Sequence, residues 1–418
     1  MNFLSWNQAI NENKDLILLF MITSWCETCE EQEKELEIIH NERISLVKED
    51  ADERIDLGVR YTPQIYPCIS FIHKDSVLGG TYGLIKRDKI QEMINQALDL
   101  IDKKGKIVNP PKLSYRLDKF SPQYALNHIL KVCEGYFDWK EGGFEKEPKY
   151  VSPEVLQLFL RFEDYYHKLM VEVTLDNAIE YLWNEGFYLF SKSIDWKEPY
   201  TAKLLDYNAE MTKTLLKAYE VLKEDTYLDY AIKTVDWMVR RREKSGYFIN
   251  CEFQGRKEDK RPFLNVNANV GDALLQVYKV TDDEKYFEIA KDLEEKLIIS
   301  HELNKNTTPY LIDIASYLRF LSKIDQSKAR KLLGILNDYE GIEAYYDVTL
   351  KYAKDNLIGR YYFLYDNSIL AETFINLGFL DKAKKIIDSF LGSFGIFTYF
   401  NQAKYALILG ELYGLFPY

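Results

Sequence analysis

The chain has 418 residues, 47% of them hydrophobic and 29% charged, with a net charge of −12. That length is too great for one ordinary core and predicts at least two domains of a water-soluble protein. The acidic balance argues against general affinity for nucleic-acid phosphates or anionic membrane surfaces, and no apolar run approaches the roughly 20 residues that span a bilayer.

In chain order, Met1 to Asn13 lacks a basic stretch followed by an apolar one, so no secretory signal is expected. A continuous apolar run, Leu16 to Ile22, reads as a strand, and Glu30 to His40 reads as a helix. Between them lies Trp25-Cys26-Glu27-Thr28-Cys29. A second strand is expected at Ile44 to Val47, a short helix around Asp52 to Val59, and strands at Cys68 to Ile72 and Ser76 to Gly80. An amphipathic helix from Lys86 to Ile101 closes the unit. This β-α-β-α-β-β-α order is that of a thioredoxin fold over residues 1–102. Residues 103–122, with Pro110-Pro111, have the composition of a linker.

From residue 123 to 418 the pattern is almost wholly helical. Tyr219-Glu220-Val221-Leu222, Tyr227 and Ala231 recur as Tyr278-Lys279-Val280-Thr281, Tyr286 and Ala290, an offset of 59 by subtraction, with a weaker echo at Phe374 to Ile387. Each copy is a helical hairpin. Hairpins of this length predict an α/α toroid, a ring with inner and outer helical layers; an open solenoid is the alternative.

Chemistry concentrates first at the Cys-x-x-Cys. A cysteine at a helix N-terminus is favoured as thiolate by unsatisfied N–H groups and the helix dipole. Cys26 is the candidate nucleophile and Cys29 the resolving thiol, with Trp25 packed beside them. Pro67, with Tyr66 before it, starts the Cys68 strand and is the candidate cis-proline facing the pair; Pro63 competes for that role. Cys68 is either a third thiol of the site or a small buried hydrophobe. Glu27, Glu30, Glu31 and Glu33 surround the pair, and the nearest cation in sequence is Lys34. Carboxylates oppose the helix dipole, so a reducing rather than an oxidising couple is expected. No second Cys-x-x-Cys or His pair stands where a zinc site would need one, and no metal is expected. The competing reading is a vestigial pair on a packing domain.

In the helical region Gly142-Gly143-Phe144-Glu145-Lys146-Glu147-Pro148-Lys149-Tyr150 is the most distinctive loop. Gly143, Phe144, Glu145 and Lys149 are candidate pocket residues there. Asp206, Asn208 and Glu210 form a second group at a helix start, and Asp366 with Glu372 a third. Facing carboxylates and aromatic platforms at the mouth of a ring suit sugar chemistry. The plain alternative makes the Asp and Asn residues N-caps and the aromatics core.

Cys26 and Cys29, Asp50-Ala51-Asp52-Glu53-Arg54, Tyr66-Pro67 and Gly80-Thr81-Tyr82 together resemble the thioredoxin domains of the spermatogenesis-associated protein 20-like family. The resemblance continues through Gly142, Gly143, Phe144, Pro148, Lys149 and Tyr150, and through Tyr207-Asn208. It implies a thioredoxin-like domain joined to a six-hairpin (α/α)6 toroid related to sugar epimerases and glycosidases. It departs from the family in lacking a His beside the cysteines. Phe20 stands where thioredoxins bury an acid, which removes that proton shuttle.

The resulting expectation is a cytoplasmic thiol–disulfide oxidoreductase with no cofactor beyond the redox-active pair Cys26 and Cys29. Its partners would be a protein disulfide substrate or a thioredoxin-type reductase system, with neither nucleic acid nor membrane. The alternatives are a carbohydrate-processing or carbohydrate-binding toroid with a structural thioredoxin domain, and a non-enzymatic interaction protein.

Overall fold

A computed structural model describes residues 3–74, 76–104, 119–302 and 308–417. The chain divides into two compact units, Met1–Tyr115 with Lys351–Gly359, and Arg116–Leu350 with Arg360–Tyr418. Most of the expected linker, 105–118, lies outside the described residues.

The first unit opens with a helix that the sequence reading did not anticipate, α1 (Trp6–Glu12), started by a reciprocal capping box between Ser5 and Gln8. Strand β1 (Leu16–Ile22) follows, then α2 (Cys29–Glu37), β2 (Ile44–Asp50), α3 (Ile55–Tyr61), β3 (Cys68–His73), β4 (Ser76–Tyr82) and α4 (Arg87–Lys104). The sheet order is β2-β1-β3-β4, with β1 parallel to β2 and antiparallel to β3, and β3 antiparallel to β4. A central strand must be apolar on both faces. Accordingly Leu16, Leu18 and Phe20 of β1 are buried in one core with Leu36 of α2 and Ile90 and Ile94 of α4. This is a thioredoxin-like α/β domain.

The second unit begins with α5 (Pro122–Tyr136), α6 (Pro153–Phe159) and α7 (Tyr165–Asn177). It continues with α8 (Leu205–Leu222), α9 (Asp225–Arg240), α10 (Leu264–Thr281), α11 (Glu284–Glu302), α12 (Leu311–Ile324) and α13 (Gln326–Leu332). After α14 (Leu350–Asp355) come α15 (Leu364–Asn376), α16 (Leu380–Ser389) and α17 (Tyr399–Tyr413). Residues 351–359 belong to the first unit, where Trp6 Nε1 donates to Asn356 O at 3.1 Å and Arg60 Nη2 to Gly359 O at 2.8 Å.

Helices α6, α8, α10, α12, α15 and α17 form a closed ring, each packed on the next and α17 returning to α6. Outside it, α7, α9, α11, α13 and α16 back α6, α8, α10, α12 and α15, and α5 backs α17. The layers read in the burial pattern. Inner α10 is buried almost all round, whereas outer α9 buries one stripe, including Tyr227, Ala231, Val235 and Met238. The second unit is an (α/α)6 toroid.

The 59-residue repeat corresponds to the hairpins α8–α9 and α10–α11. Both inner helices end on a left-handed residue, Lys223 at φ 64° and Asp282 at φ 54°, whose N–H returns to Tyr219 O and Tyr278 O. The outer tyrosines also repeat. Tyr227 donates to Asp176 at 3.1 Å and Tyr286 to Asp236 at 2.9 Å, linking successive outer helices.

The fourth residue of α8, α10 and α15 is asparagine, and each ties down the loop that precedes its helix. Asn208 accepts from Phe187 N at 2.6 Å and donates to Phe187 O and Leu204 O. Asn267 does the same with Phe248 and Phe263, and Asn367 with Tyr345 and Phe363. Removing a buried group with three such bonds leaves loop N–H and C=O groups unsatisfied. Asn208→Ala is expected to cost about 2–4 kcal/mol in chemical denaturation; a loss below about 0.5 kcal/mol, the size of an ordinary surface change, would contradict the tie.

Candidate functional sites

In the first unit Cys26 and Cys29 are joined as a disulfide. Helix α2 begins at Cys29 with Thr28 as its cap, so Cys26 lies in the turn just before the helix N-terminus at which the sequence reading placed it. Gln32, one turn into α2, is fully buried and bonds both the N–H and C=O of Ile85, which fixes the helix start against the approach to α4. The Tyr66–Pro67 bond is cis, and the Tyr66 ring meets Trp25 edge-on at 5.9 Å. Cys26 is 0% exposed and Cys29 6%.

Phe20 is buried in the sheet core, so the place of a buried acid is apolar. Cys68 pairs with Met21 and Tyr82 inside the sheet, and burial pushes its thiol up to about 12. It is therefore a protonated core side chain at neutral pH. Glu27, Glu30 and Glu31 are exposed, while Glu33 is held by Lys48 Nζ at 2.5 Å. The acidic collar thus lies largely on the surface, with Glu33 tied to Lys48.

In the second unit the Gly-Gly-Phe loop is a packed knot. Gly142 and Gly143 have φ of 70° and 74°, and a Cβ on Gly143 would lie 2.3 Å from Trp196. Phe144 is buried, and the buried Lys149 reaches Asp138 at 2.5 Å. Burial raises the Asp138 carboxyl, but the Lys149 hydrogen bond and charge, together with the hydrogen bonds from the Lys140 and Glu141 N–H groups, outweigh it and the net position is below the usual range. Glu145 carries a positive φ of 62° in the same knot. These residues fix the loop, with Lys149 committed to its partner. Asn208 is likewise committed to its loop.

Glu210 and Glu372 are placed elsewhere, in the centre of the ring. The ninth residue of α8, α10, α12 and α15 is Lys213, Asp272, Arg319 and Glu372 in turn, a layer of alternating charge at one height. Lys213 Nζ lies 2.6 Å from Glu210 and 3.3 Å from Asp272. Lys323 bridges Asp272 at 3.0 Å and Glu372 at 2.9 Å, and Lys404 reaches Glu372 at 2.8 Å. Arg319, 1% exposed, sits 3.5–3.7 Å from Glu210, Asp272 and Glu372. Burial opposes ionising Glu210, but Lys213, Arg319 and Lys404 hold it at about 2. The same balance keeps Asp272 and Glu372 well below the carboxylate range. The sequence reading missed Lys213, Asp272, Arg319, Lys323 and Lys404.

Toward the N-terminal ends of the inner helices stands a different group. Glu154, Asp206 and Tyr365 are the second residues of α6, α8 and α15. Burial and the neighbouring Glu210 push Glu154 up to about 7, and Tyr365 Oη donates to it at 3.2 Å. Burial also raises Asp206. The Tyr207 hydroxyl is buried with no hydrogen-bond partner among the described residues. Asp366 is half-buried in the first turn of α15. Toward the C-terminal ends the ring opens into a cavity of about 410 Å³. Among the described residues no group of three or more His, Cys, Asp or Glu side chains is placed to hold a metal, and no helix is long and apolar enough to cross a membrane.

The thioredoxin family matches residues 2–96. No curated protein matches the chain in sequence. Among solved structures, the chain is similar to a GH76 α-mannanase from Bacteroides thetaiotaomicron (12% identity, TM-score 0.52, 71% of this chain and 97% of that one). It is also similar to a sugar epimerase from a ruminal bacterium (15%, 0.51, 64% and 85%) and to a D-mannose isomerase (13%, 0.52, 67% and 86%). At these identities the likeness concerns the fold, that of six-hairpin glycosidase-like toroids.

Proposed function

We propose that the chain is a cytoplasmic thiol–disulfide oxidoreductase of the spermatogenesis-associated protein 20-like group, acting through Cys26 and Cys29. The observation that carries this reading is the Cys26–Cys29 disulfide at the start of α2, in a domain matched by the thioredoxin family and carrying a cis Tyr66–Pro67 bond. In the reduced enzyme the Cys26 thiolate attacks one sulfur of a protein disulfide, and the other sulfur leaves as a thiolate that takes a proton from solvent. Deprotonated Cys29 then attacks Cys26 Sγ and releases the second substrate thiol. Two electrons pass from the dithiol to the substrate, and a thioredoxin-type reductase system restores the dithiol. Since Cys26 is buried, exchange requires a local opening that exposes its sulfur. Pro67 and Tyr66 shape the approach to the pair.

The test is insulin reduction by the full chain, together with redox equilibration against glutathione. Cys26→Ser abolishes turnover, and Cys29→Ser leaves a trapped mixed disulfide. The potential lies well below the roughly −120 mV of strongly oxidising enzymes. Undiminished turnover by Cys26→Ser overturns the reading, and a potential near that value overturns its reducing direction.

A second reading, sugar chemistry in the toroid, is favoured by the pairing of a carboxyl raised to about 7 with Tyr365, Asp206 and the unpartnered Tyr207 hydroxyl. A raised carboxyl is protonated below its folded-state value, so Glu154 serves as a general acid that is lost as pH rises through about 7. Turnover of a mannoside or a free hexose then falls above that pH and disappears in Glu154→Gln. Failure of the chain to bind or turn over either compound removes this reading.

A further inference from the structure

The charge balance of the ring is uneven along its axis. The central cluster holds four cations, Lys213, Arg319, Lys323 and Lys404, against three carboxylates, Glu210, Asp272 and Glu372. Glu154, raised to about 7, supplies no full fourth negative charge. Burial and the neighbouring cations pull Lys213 below the usual lysine range, as expected where counter-charge is short. Buried charge without a full complement of partners costs several kcal/mol, so such an excess calls for an anion.

The excess faces the cavity of about 410 Å³, whose floor includes Arg319, Lys213, Lys323 and Lys404 and whose rim adds Arg161, Lys217 and Lys223. Among the rim residues the one carboxylate is Glu220, bonded to Lys217 at 2.9 Å. A net-positive cavity in a chain of net charge −12 is not a by-product of composition. The helix C-termini add partial negative charge at the rim, and rim lysines offset it. That effect fades within one turn, whereas Lys213 and Arg319 lie at the ninth position of helices of 18 and 14 residues. Arg319 is the second pointer. Its Nη2 donates to Asn269 at 2.7 Å, while Nε and Nη1 make no hydrogen bond among the described residues and stand 3.7 and 3.5 Å from Asp272 and Glu372, although the side chain is 1% exposed and lines the cavity.

We propose that this cavity binds a small phosphorylated metabolite. The phosphate sits over Arg319, Lys213, Lys323 and Lys404, and the carbon portion rests on Leu216, Val280 and Leu407 along the wall. Guanidinium and ammonium donors suit phosphate oxygens, the guanidinium through its fork of N–H groups. The volume falls in the range of small-molecule sites and far exceeds what one phosphate fills. The proposal concerns the ring alone and does not depend on the fate of the cysteine pair or on Glu154 acting as a catalytic acid.

Calorimetric titration of the full chain with glucose 6-phosphate and with inorganic phosphate, at matched ionic strength, tests it. The sugar phosphate binds at micromolar to low-millimolar concentration and more tightly than inorganic phosphate. The double variant Lys217→Ala/Lys223→Ala, altering one half-buried and one exposed rim residue, unfolds at the same temperature as wild type without ligand and binds about tenfold more weakly. Arg319→Met removes binding where it folds; the rim variant carries the test where it does not. No heat of binding at millimolar concentration, equal affinity for the two probes, or rim variants that bind like wild type each overturn the proposal.

Discussion

The toroid depends on a layer of charge that no single helix can satisfy. Lys213, Asp272, Arg319 and Glu372 occupy the same height on four neighbouring inner helices, and each finds its counter-charge on another. Transferring an ion from water to a protein interior costs several kcal/mol even after relaxation. The neighbours recover that cost only at close range, so the helices must stand in one register. Apolar side chains would tolerate a slide of a residue; these do not. The Asn ties at the fourth position then fix the loops to the same register, five residues N-terminal to the charges at Lys213, Asp272 and Glu372.

Filling the centre with ions divides the ring into two ends with different chemistry. Toward the helix N-termini stand acids and phenols, Glu154, Asp206, Tyr207 and Tyr365. Toward the C-termini stand lysines and arginines around an open cavity. The sugar chemistry of the second reading would fall on the N-terminal side, and the proposed anion site on the other. The first unit differs in kind: its Cys26–Cys29 disulfide stands at the start of α2, in a domain whose sheet core holds the apolar Phe20.

Much of this was legible in the sequence because it rests on period and punctuation. The strand Leu16–Ile22 is a continuous apolar run, and its observed limits match the expected ones. The 59-residue repeat pointed to hairpins, and hairpins of that length to a ring. Other features were hidden for physical reasons. Helix α1 is seven residues long and only Trp6 and Ala9 are buried, too little to show a period. Cys26 was placed at a helix N-terminus because the residues after it are strong helix formers; the cap at Thr28 leaves it in the preceding turn. Asn208 was read as a rim residue or a cap, since an asparagine near a helix start usually is one. Lys213 and Asp272 were passed over, because charge on a helix normally marks a solvated face. The signal that would have found them is the repeat itself: five residues beyond Asn208, Asn267 and Asn367 stand Lys213, Asp272 and Glu372. The Gly-Gly-Phe loop misled in the other direction. Its glycines mark close packing on Trp196 and Val173, not close approach to a ligand.

The claim that the ion layer sets the ring is tested most directly by a double-mutant cycle between Asp272 and Lys323, 3.0 Å apart. Stability of Asp272→Asn, Lys323→Gln and the double variant would be measured by chemical denaturation. Each single change strands buried charge and is expected to cost about 3–5 kcal/mol, with the double variant falling short of the sum by about 2 kcal/mol or more. Additivity within about 0.5 kcal/mol would contradict the account, because residues that do not depend on each other cannot hold these helices in register.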